Sequence, residues 1–567
     1  YLSEGPAGLR IAPKREGEDR TYYCTAFPIG TLLSSTWNTN LVNEIGAAMG
    51  TEAKEYGIDV ILGPGANIHR HPLCGRNFEY YSEDPVLTGF IGAAMVNGIE
   101  SQEVGTSVKH FVANNQETDR NFNDVIVSDR AMREIYLKGF QIIVEKSQPW
   151  TIMSSYNKIN GTYVPERKDL MTDILRDDWQ YQGLVMTDWF GGDNAVAMIT
   201  AGNDLLEPGT RKQWKALQKG AENGSLSEEE INSAARRIVR LIVQSKKMQN
   251  YPYSNNPDLD KHAEIARQSG TEGMILLKNE ETLPIQKTKN IALMGVTSFD
   301  FIPGGTGSGD VNEAYSISLE EGLMNAGFEI NEKAKQVFET HKSKFKKDFV
   351  KPEGLSALTT PYFPTRMTYT NNELKAIVAS SEIGIITIGR NSGEGGDRVK
   401  ENDFLLSKKE QNLITNVCKA FHAAGKKVVV VLNIGGVIET ASWKEQPDAI
   451  LLAWQGGQEG GNSVVDILRG KVNPSGKLPM TFPIDLEDHA SNANFPLEGG
   501  SLDILKLMFA SREEKLENEK VKNKDYTKYE EGIYVGYRHF DKVELEVSYP
   551  FGHGLSYTTF ALSNLNV

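Results

Sequence analysis

The stretch Gly183-Leu-Val-Met-Thr-Asp-Trp-Phe-Gly-Gly192 decides how the rest of the chain is read. Three apolar residues, Leu184, Val185 and Met186, run into Asp188, Trp189 and a glycine pair. An apolar run ending in a carboxylate and a flexible turn places the acid at the carboxyl end of a buried strand. In a parallel α/β barrel, chemistry sits at that end. Taken by itself, the stretch also suits an Asp that caps the helix following a βα loop.

The flanking segments favour the first reading. Ile58–Leu62 stops at Gly63-Pro-Gly, Thr106–Val112 at Ala-Asn-Asn115, and Thr151–Tyr156 at Asn157. Downstream, Ala195–Ile199 reads as a further strand leading to Asn203-Asp204. Helical patterns at Asn38–Tyr56 and Asp129–Lys146 lie between these runs. Strands alternating with helices indicate βαβ units and a parallel sheet. Ser227 with Glu230 forms a capping box, followed by Ile231, Ala235, Ile238 and Ile242 at helical spacing. The Pro- and Asn-rich stretch Asn250–Pro257 is a linker signal. These features place a parallel α/β domain at residues 1–246, a linker at 247–262 and a second domain at 263–557. The second domain opens with Glu272–Asn279 and Asn290–Gly295, and continues with Ile383–Ile388, Lys427–Leu432 and Ala449–Ala453. Near-continuous apolar runs predict strands buried on both faces. Lys506–Lys524 is charged without periodicity and reads as a solvated insertion.

Composition narrows the function classes. A chain of 567 residues exceeds one core. A net charge of −14 argues against nucleic acid as a partner. No run of 18 apolar residues exists, so no membrane span is expected. Cys24, Cys74 and Cys418 are scattered, which fits neither a disulfide framework nor a zinc site. His69-Arg-His71 lacks the context of a metal motif, and no metal is expected. Asn160-Gly-Thr and Asn223-Gly-Ser match the glycosylation triplet at the frequency chance allows. Gly304-Gly-Thr-Gly-Ser-Gly309 has no following Lys, and Val296–Pro303 separates it from its strand, so a nucleotide loop is not expected. The chain opens in mid-motif at Tyr1, so the lack of a signal peptide carries no information about export. The expected compartment is periplasmic or secreted rather than cytoplasmic, and a homodimer is compatible with the sequence.

Arg10, Arg76, Lys109, His110, Arg120 and Tyr156 fall at strand ends or in adjoining loops. Forked donors, a carboxylate acceptor and an aromatic platform suit a hydroxyl-rich ligand. Each residue alone would pass as a surface charge or a satisfied pair.

Five motifs, in this order, resemble glycoside hydrolase family 3: Gly5-Pro-Ala-Gly-Leu-Arg10, Gly75-Arg-Asn-Phe-Glu-Tyr-Tyr-Ser-Glu-Asp-Pro85, Lys109-His-Phe, Ser154-Ser-Tyr-Asn157 and Val185-Met-Thr-Asp-Trp189. The resemblance implies that Asp188 is the catalytic nucleophile and that Arg10, Arg76, Lys109, His110, Arg120 and Tyr156 hold the sugar. It implies that the first domain is a TIM-like (β/α)8 barrel, that an α/β/α sandwich packs on it, that Trp189 lines the pocket, and that Ser308 comes near the sugar on its glycine loop. Ser392-Gly-Glu-Gly-Gly-Asp-Arg398 looks like the acid/base loop of the β-glucosidase branch, which makes Glu394 the proton donor a glycosidase needs. Lys109-His-Phe-Val-Ala-Asn-Asn115 departs from the Lys-His-Phe-Pro-Gly-His signature of the N-acetylglucosaminide branch. Tyr529–Arg538 and Pro550–Tyr557 are further family landmarks, after which 558–567 can hold only the start of a fibronectin-III-like domain.

One departure concerns specificity. The family's usual Asp-Gly-Pro reads Glu4-Gly-Pro6 here, one methylene longer against the distal hydroxyls of the sugar. The activity expected is therefore that of an exo-acting retaining β-glycosidase releasing terminal β-D-glucosyl and β-D-xylosyl residues, without metal or organic cofactor. The alternatives are a strict β-glucosidase, a glycoside phosphorylase and a non-catalytic carbohydrate-binding homologue. The mechanism predicts a cationic setting that lowers the pKa of Asp188, through Lys109 and Arg120, and a less cationic one around Glu394. Arg398 is expected to orient the acid/base loop by pairing with a carboxylate.

Overall fold

A computed structural model describes residues 1–286, 290–352, 362–501, 520–561 and 563. Strands β1 (Leu2–Glu4), β2 (Val60–Leu62), β3 (Gly105–Phe111), β4 (Thr151–Ser154) and β5 (Leu184–Thr187) form one all-parallel sheet in sequential order. Helices α1 (Thr39–Glu55), α2 (Pro85–Glu100) and α3 (Lys138–Ser147) make the crossovers. Because every pairing is parallel, all five carboxyl ends share one edge. That geometry gathers His110, Tyr156 and Asp188 from three separate segments.

The described residues hold five strands of this sheet, not eight, extended by a single parallel bridge from Met186 to Leu205. Ala195–Ile199, expected as a strand, is instead part of helix α4 (Ala195–Ala201). A five-residue apolar run does not distinguish strand from helix by periodicity. Here the caps decide. The Asn194 side chain accepts from the N–H groups of Val196 and Ala197, and Gly202 at φ +118° ends the helix. The same observation assigns the cap to Asn194, so Asp188 does not serve as one. The predicted capping box is present: Ser227 and Glu230 bond reciprocally at the start of α5 (Glu228–Gln244). Ile238 and Leu241 of α5 pack on Leu62, Met153, Leu184 and Met186, while Ile231 and Ile242 are exposed. Helix α6 (Leu259–Gly273) follows.

The second half is built on a six-stranded sheet of β6 (Ile275–Asn279), β7 (Asn290–Met294), β8 (Glu329–Ile330), β9 (Ile383–Arg390), β10 (Val428–Ile434) and β11 (Ala449–Leu452). The order is β8-β7-β9-β10-β11-β6, parallel except for β6. Along β10, Val428, Val430, Leu432 and Ile434 enter one core and Val429 and Val431 the other. Both faces are therefore covered by helices, and each buried side chain contributes about 1.5–3 kcal/mol. Strand order reverses between β7 and β9, and the crevice outside the carboxyl ends at such a reversal is where open α/β sheets place ligands. The glycine loop 304–309 follows β7 and the loop 390–398 follows β9.

The two halves are interleaved. Tyr526–Lys528 adds a parallel strand beside Asp124–Ile126, and a buried ion pair of 2.6 Å joins Arg70 to Glu531. Residues 502–519, most of the expected solvated insertion, lie outside the described residues. Residues 558–561 and 563 form no strand, and the rest of the expected fibronectin-III-like start is likewise outside them.

Candidate active site

Asp188 leaves the end of β5 with its N–H donating to the Ser154 carbonyl at 3.0 Å. Its side chain is almost fully buried and accepts from the Trp189 N–H at 2.8 Å and from the Tyr156 hydroxyl. His110 Nε2 stands 3.7 Å from Asp188 Oδ2. The other face of that imidazole meets Asn67 and the Tyr80 hydroxyl, and the Lys109–His110 and Phe111–Val112 peptides are cis. Burial, with Arg76, Lys109 and Arg120 nearby, keeps His110 well below the usual imidazole pKa, so it is neutral.

Glu394 arrives from the other domain. Its Oε1 accepts from Arg120 at 2.8 Å and lies 3.5 Å from Arg76, and its Oε2 accepts the Ser308 N–H at 3.1 Å. Arg76 also donates to the Ser308 hydroxyl at 3.0 Å, and Arg10 donates to the Gly307 carbonyl at 2.7 Å. The Arg120 guanidinium stacks 4.7 Å from the Tyr156 ring centroid. Lys109 Nζ donates to Glu4 Oε2 at 2.8 Å. These ten residues therefore form one connected constellation. Trp189 joins it through its backbone, while its half-buried ring packs against the apolar cluster of Leu62, Met153 and Met186.

The electrostatics run opposite to expectation. Burial pushes the Asp188 carboxyl up, and Arg120, the Tyr156 hydroxyl, Arg76 and Lys109 only partly offset it. Burial also acts on Glu394, but Arg76, Arg120 and Lys109 overturn it and hold that carboxyl well below the usual range. The reason is where the guanidinium forks point. Arg120 and Arg76 reach Glu394 directly, whereas Asp188 faces a neutral imidazole and a phenol.

The glycosyl hydrolase family 3 N terminal domain matches residues 13–241, and the family's C-terminal domain matches residues 274–537. The chain belongs to glycosyl hydrolase family 3. It is 35% identical over 576 residues to thermostable β-glucosidase B of Acetivibrio thermocellus, covering all of this chain and 69% of that protein. It is 33% identical over 583 residues to an exo-α-(1→6)-L-arabinopyranosidase of Bifidobacterium longum, covering 100% and 70%. The structure of β-glucosidase 3B from Thermotoga neapolitana in complex with glucose superposes with a TM-score of 0.90 at 45% identity, over 100% of this chain and 77% of that one. A family 3 chain with this constellation is a glycoside hydrolase.

Three carboxylates that touch this constellation or its loops were not read from the sequence. Glu79 pairs with Arg76 at 2.5 Å and Glu117 with Arg120 at 2.6 Å. In both cases the acid sits three residues from the arginine, a spacing that could have flagged them. Asp397, three residues beyond Glu394 in the same loop, is the third. Arg398 is buried and pairs with Asp403 at 2.6 Å while donating to the Val437 carbonyl at 2.9 Å. Removing it frees one end of the loop that carries Glu394, and small misplacements of a reacting group cost up to about a hundredfold. Arg398→Ala should lower kcat about ten- to a hundredfold without abolishing it. An unchanged kcat in steady-state assays would reduce Arg398 to a structural cation.

Proposed function

We propose that the chain is an exo-acting retaining β-glycosidase that releases terminal β-D-glucosyl and β-D-xylosyl residues. The observation that carries this reading is the delivery of Glu394 by the second domain into the same constellation as Asp188. Asp188 attacks the anomeric carbon as the bond to the leaving oxygen breaks, and Glu394 gives that oxygen its proton. A water then attacks the glycosyl-enzyme, returning its proton to Glu394 and freeing Asp188. Arg76, Lys109, His110 and Arg120 donate to sugar hydroxyls. Sugar hydroxyls that take the Arg76 and Arg120 donors weaken their hold on Glu394, whose pKa then rises to that of a working acid. The anomer released first, followed by proton NMR, tests retention: a β-product supports it and an α-product overturns it.

Glu4 shapes the specificity. Tied to Lys109, its carboxylate reaches one methylene further towards the sugar than the Asp of the usual motif. Glucose has a hydroxymethyl group in that direction and xylose has none. Overpacking of this kind costs about 1–3 kcal/mol, and each ~1.4 kcal/mol is tenfold in kcat/KM. The β-glucosidase relatives support the glucoside activity. The arabinopyranosidase relative acts on a pentopyranose, which also lacks the hydroxymethyl, and so supports acceptance of pentosides. Glu4→Asp should raise the glucoside-to-xyloside ratio of kcat/KM about tenfold. An unchanged ratio would show that the β1 loop yields to Glu4, leaving a strict β-glucosidase.

A further inference from the structure

The acid/base loop reaches the first domain through a side chain that touches no sugar-binding residue's cation. Asp397 is partly exposed and has no ion-pair partner among the described residues. Its carboxylate is instead met by donors of the first domain. Oδ1 accepts the Gly75 N–H at 3.1 Å and the Glu117 N–H at 3.0 Å. Oδ2 accepts the Glu117 N–H at 3.0 Å, the Thr118 N–H at 2.8 Å and the Thr118 hydroxyl at 2.8 Å. Successive backbone N–H groups converging on one anion form a nest. Here the anion belongs to the other domain.

The nest is coupled to the reacting group by a short circuit of bonds. Glu117, whose N–H holds Asp397, turns its own carboxylate to the Gly395 N–H at 2.8 Å and to Arg120 at 2.6 Å. Arg120 closes the circuit on Glu394 at 2.8 Å. The fit is close: a Cβ on Gly75 would stand 1.9 Å from the Gly396 carbonyl oxygen. Gly395 at φ +88° supplies the turn between Glu394 and Asp397. The loop is thus gripped within three residues of Glu394, on the first-domain side, independently of the Arg398 pair on the sandwich side.

We propose that Asp397 is a positioning residue, a latch that docks the sandwich loop into the first-domain nest of Gly75, Glu117 and Thr118 and thereby sets Glu394 against the leaving oxygen. This rests on Glu394 being the proton donor. A latch of this kind matters only for steps that need that proton. Asp397→Asn keeps the size but turns one acceptor into a donor that faces donors. Thr118→Val removes a single bond and leaves the backbone amides.

The test measures kcat/KM on phenyl and 2,4-dinitrophenyl β-glucosides for wild type, Asp397→Asn, Thr118→Val and Glu394→Ala, with circular dichroism and Tm alongside. Asp397→Asn should lose about a hundredfold on the phenyl glycoside, the scale of a misplaced group, and less than about threefold on the dinitrophenyl glycoside. Thr118→Val should show the same selectivity at about tenfold, and carries the test should Asp397→Asn fail to fold. Equal losses on both substrates in the folded variants would overturn the latch and leave a merely structural contact. If Glu394→Ala shows the leaving-group dependence and the two latch variants do not, the latch alone falls. If Glu394→Ala itself lacks it, the acid/base assignment falls and the latch with it.

Discussion

Asp188→Ala should keep its fold and lose about five orders of magnitude in turnover. The carboxylate lies at a strand end, where it accepts from the Trp189 N–H and the Tyr156 hydroxyl and caps no helix. Its removal therefore leaves the sheet and the cores intact. What disappears, on the proposed mechanism, is the group that divides one difficult displacement into two easier ones, and losses of a nucleophile reach about a millionfold in well-studied hydrolases. A 2-deoxy-2-fluoro glycoside with a good leaving group should trap the glycosyl-enzyme, since the fluorine slows its hydrolysis more than its formation. Peptide mapping should then place the added sugar on Asp188. A label on any other residue would remove the assignment, and a folded Asp188→Ala with near-normal turnover would do the same.

Glu394→Ala should be rescued selectively. General acid catalysis contributes about 10²–10⁴-fold, so phenyl glycosides should lose activity on that scale while dinitrophenyl glycosides still form the glycosyl-enzyme. Azide, small enough to occupy the space left by the carboxylate, should accelerate the second step and yield a β-glycosyl azide. No acceleration, or an α-azide, would exclude Glu394 as the acid/base of a retaining enzyme. The wild-type pH profile carries the same information. In the sugar-free site Arg76 and Arg120 hold the Glu394 carboxyl low, while burial raises that of Asp188. Bound sugar takes up the guanidinium donors, so the Glu394 pKa rises and its proton persists to higher pH. The basic limb of kcat, which reports the complex, should therefore lie at higher pH than that of kcat/KM, which reports the free enzyme. Coincident limbs would mean that the arginines keep their hold on Glu394 when sugar is bound.

Much of this was legible in the sequence because it depends on local regularities. The run Leu184–Met186 ending at Asp188 reads as a strand whose end carries an acid, and β5 ends there. The box at Ser227 and Glu230 forms because its two bonds span three residues. The runs at Ile383–Ile388 and Lys427–Leu432 are near-continuously apolar because their strands are buried on both faces. The motifs likewise pointed to the residues that the structure gathers into one constellation. Tertiary structure decided the rest. Ala195–Ile199 became a helix through the bonds of Asn194, which a short apolar run does not reveal. The pKa directions reversed because a pKa follows from which fork reaches which carboxylate, and Arg120 meets Glu394 across 274 residues of chain. The nest around Asp397 is made of backbone N–H groups, which every residue but proline has, and only folding aims three of them at one carboxylate.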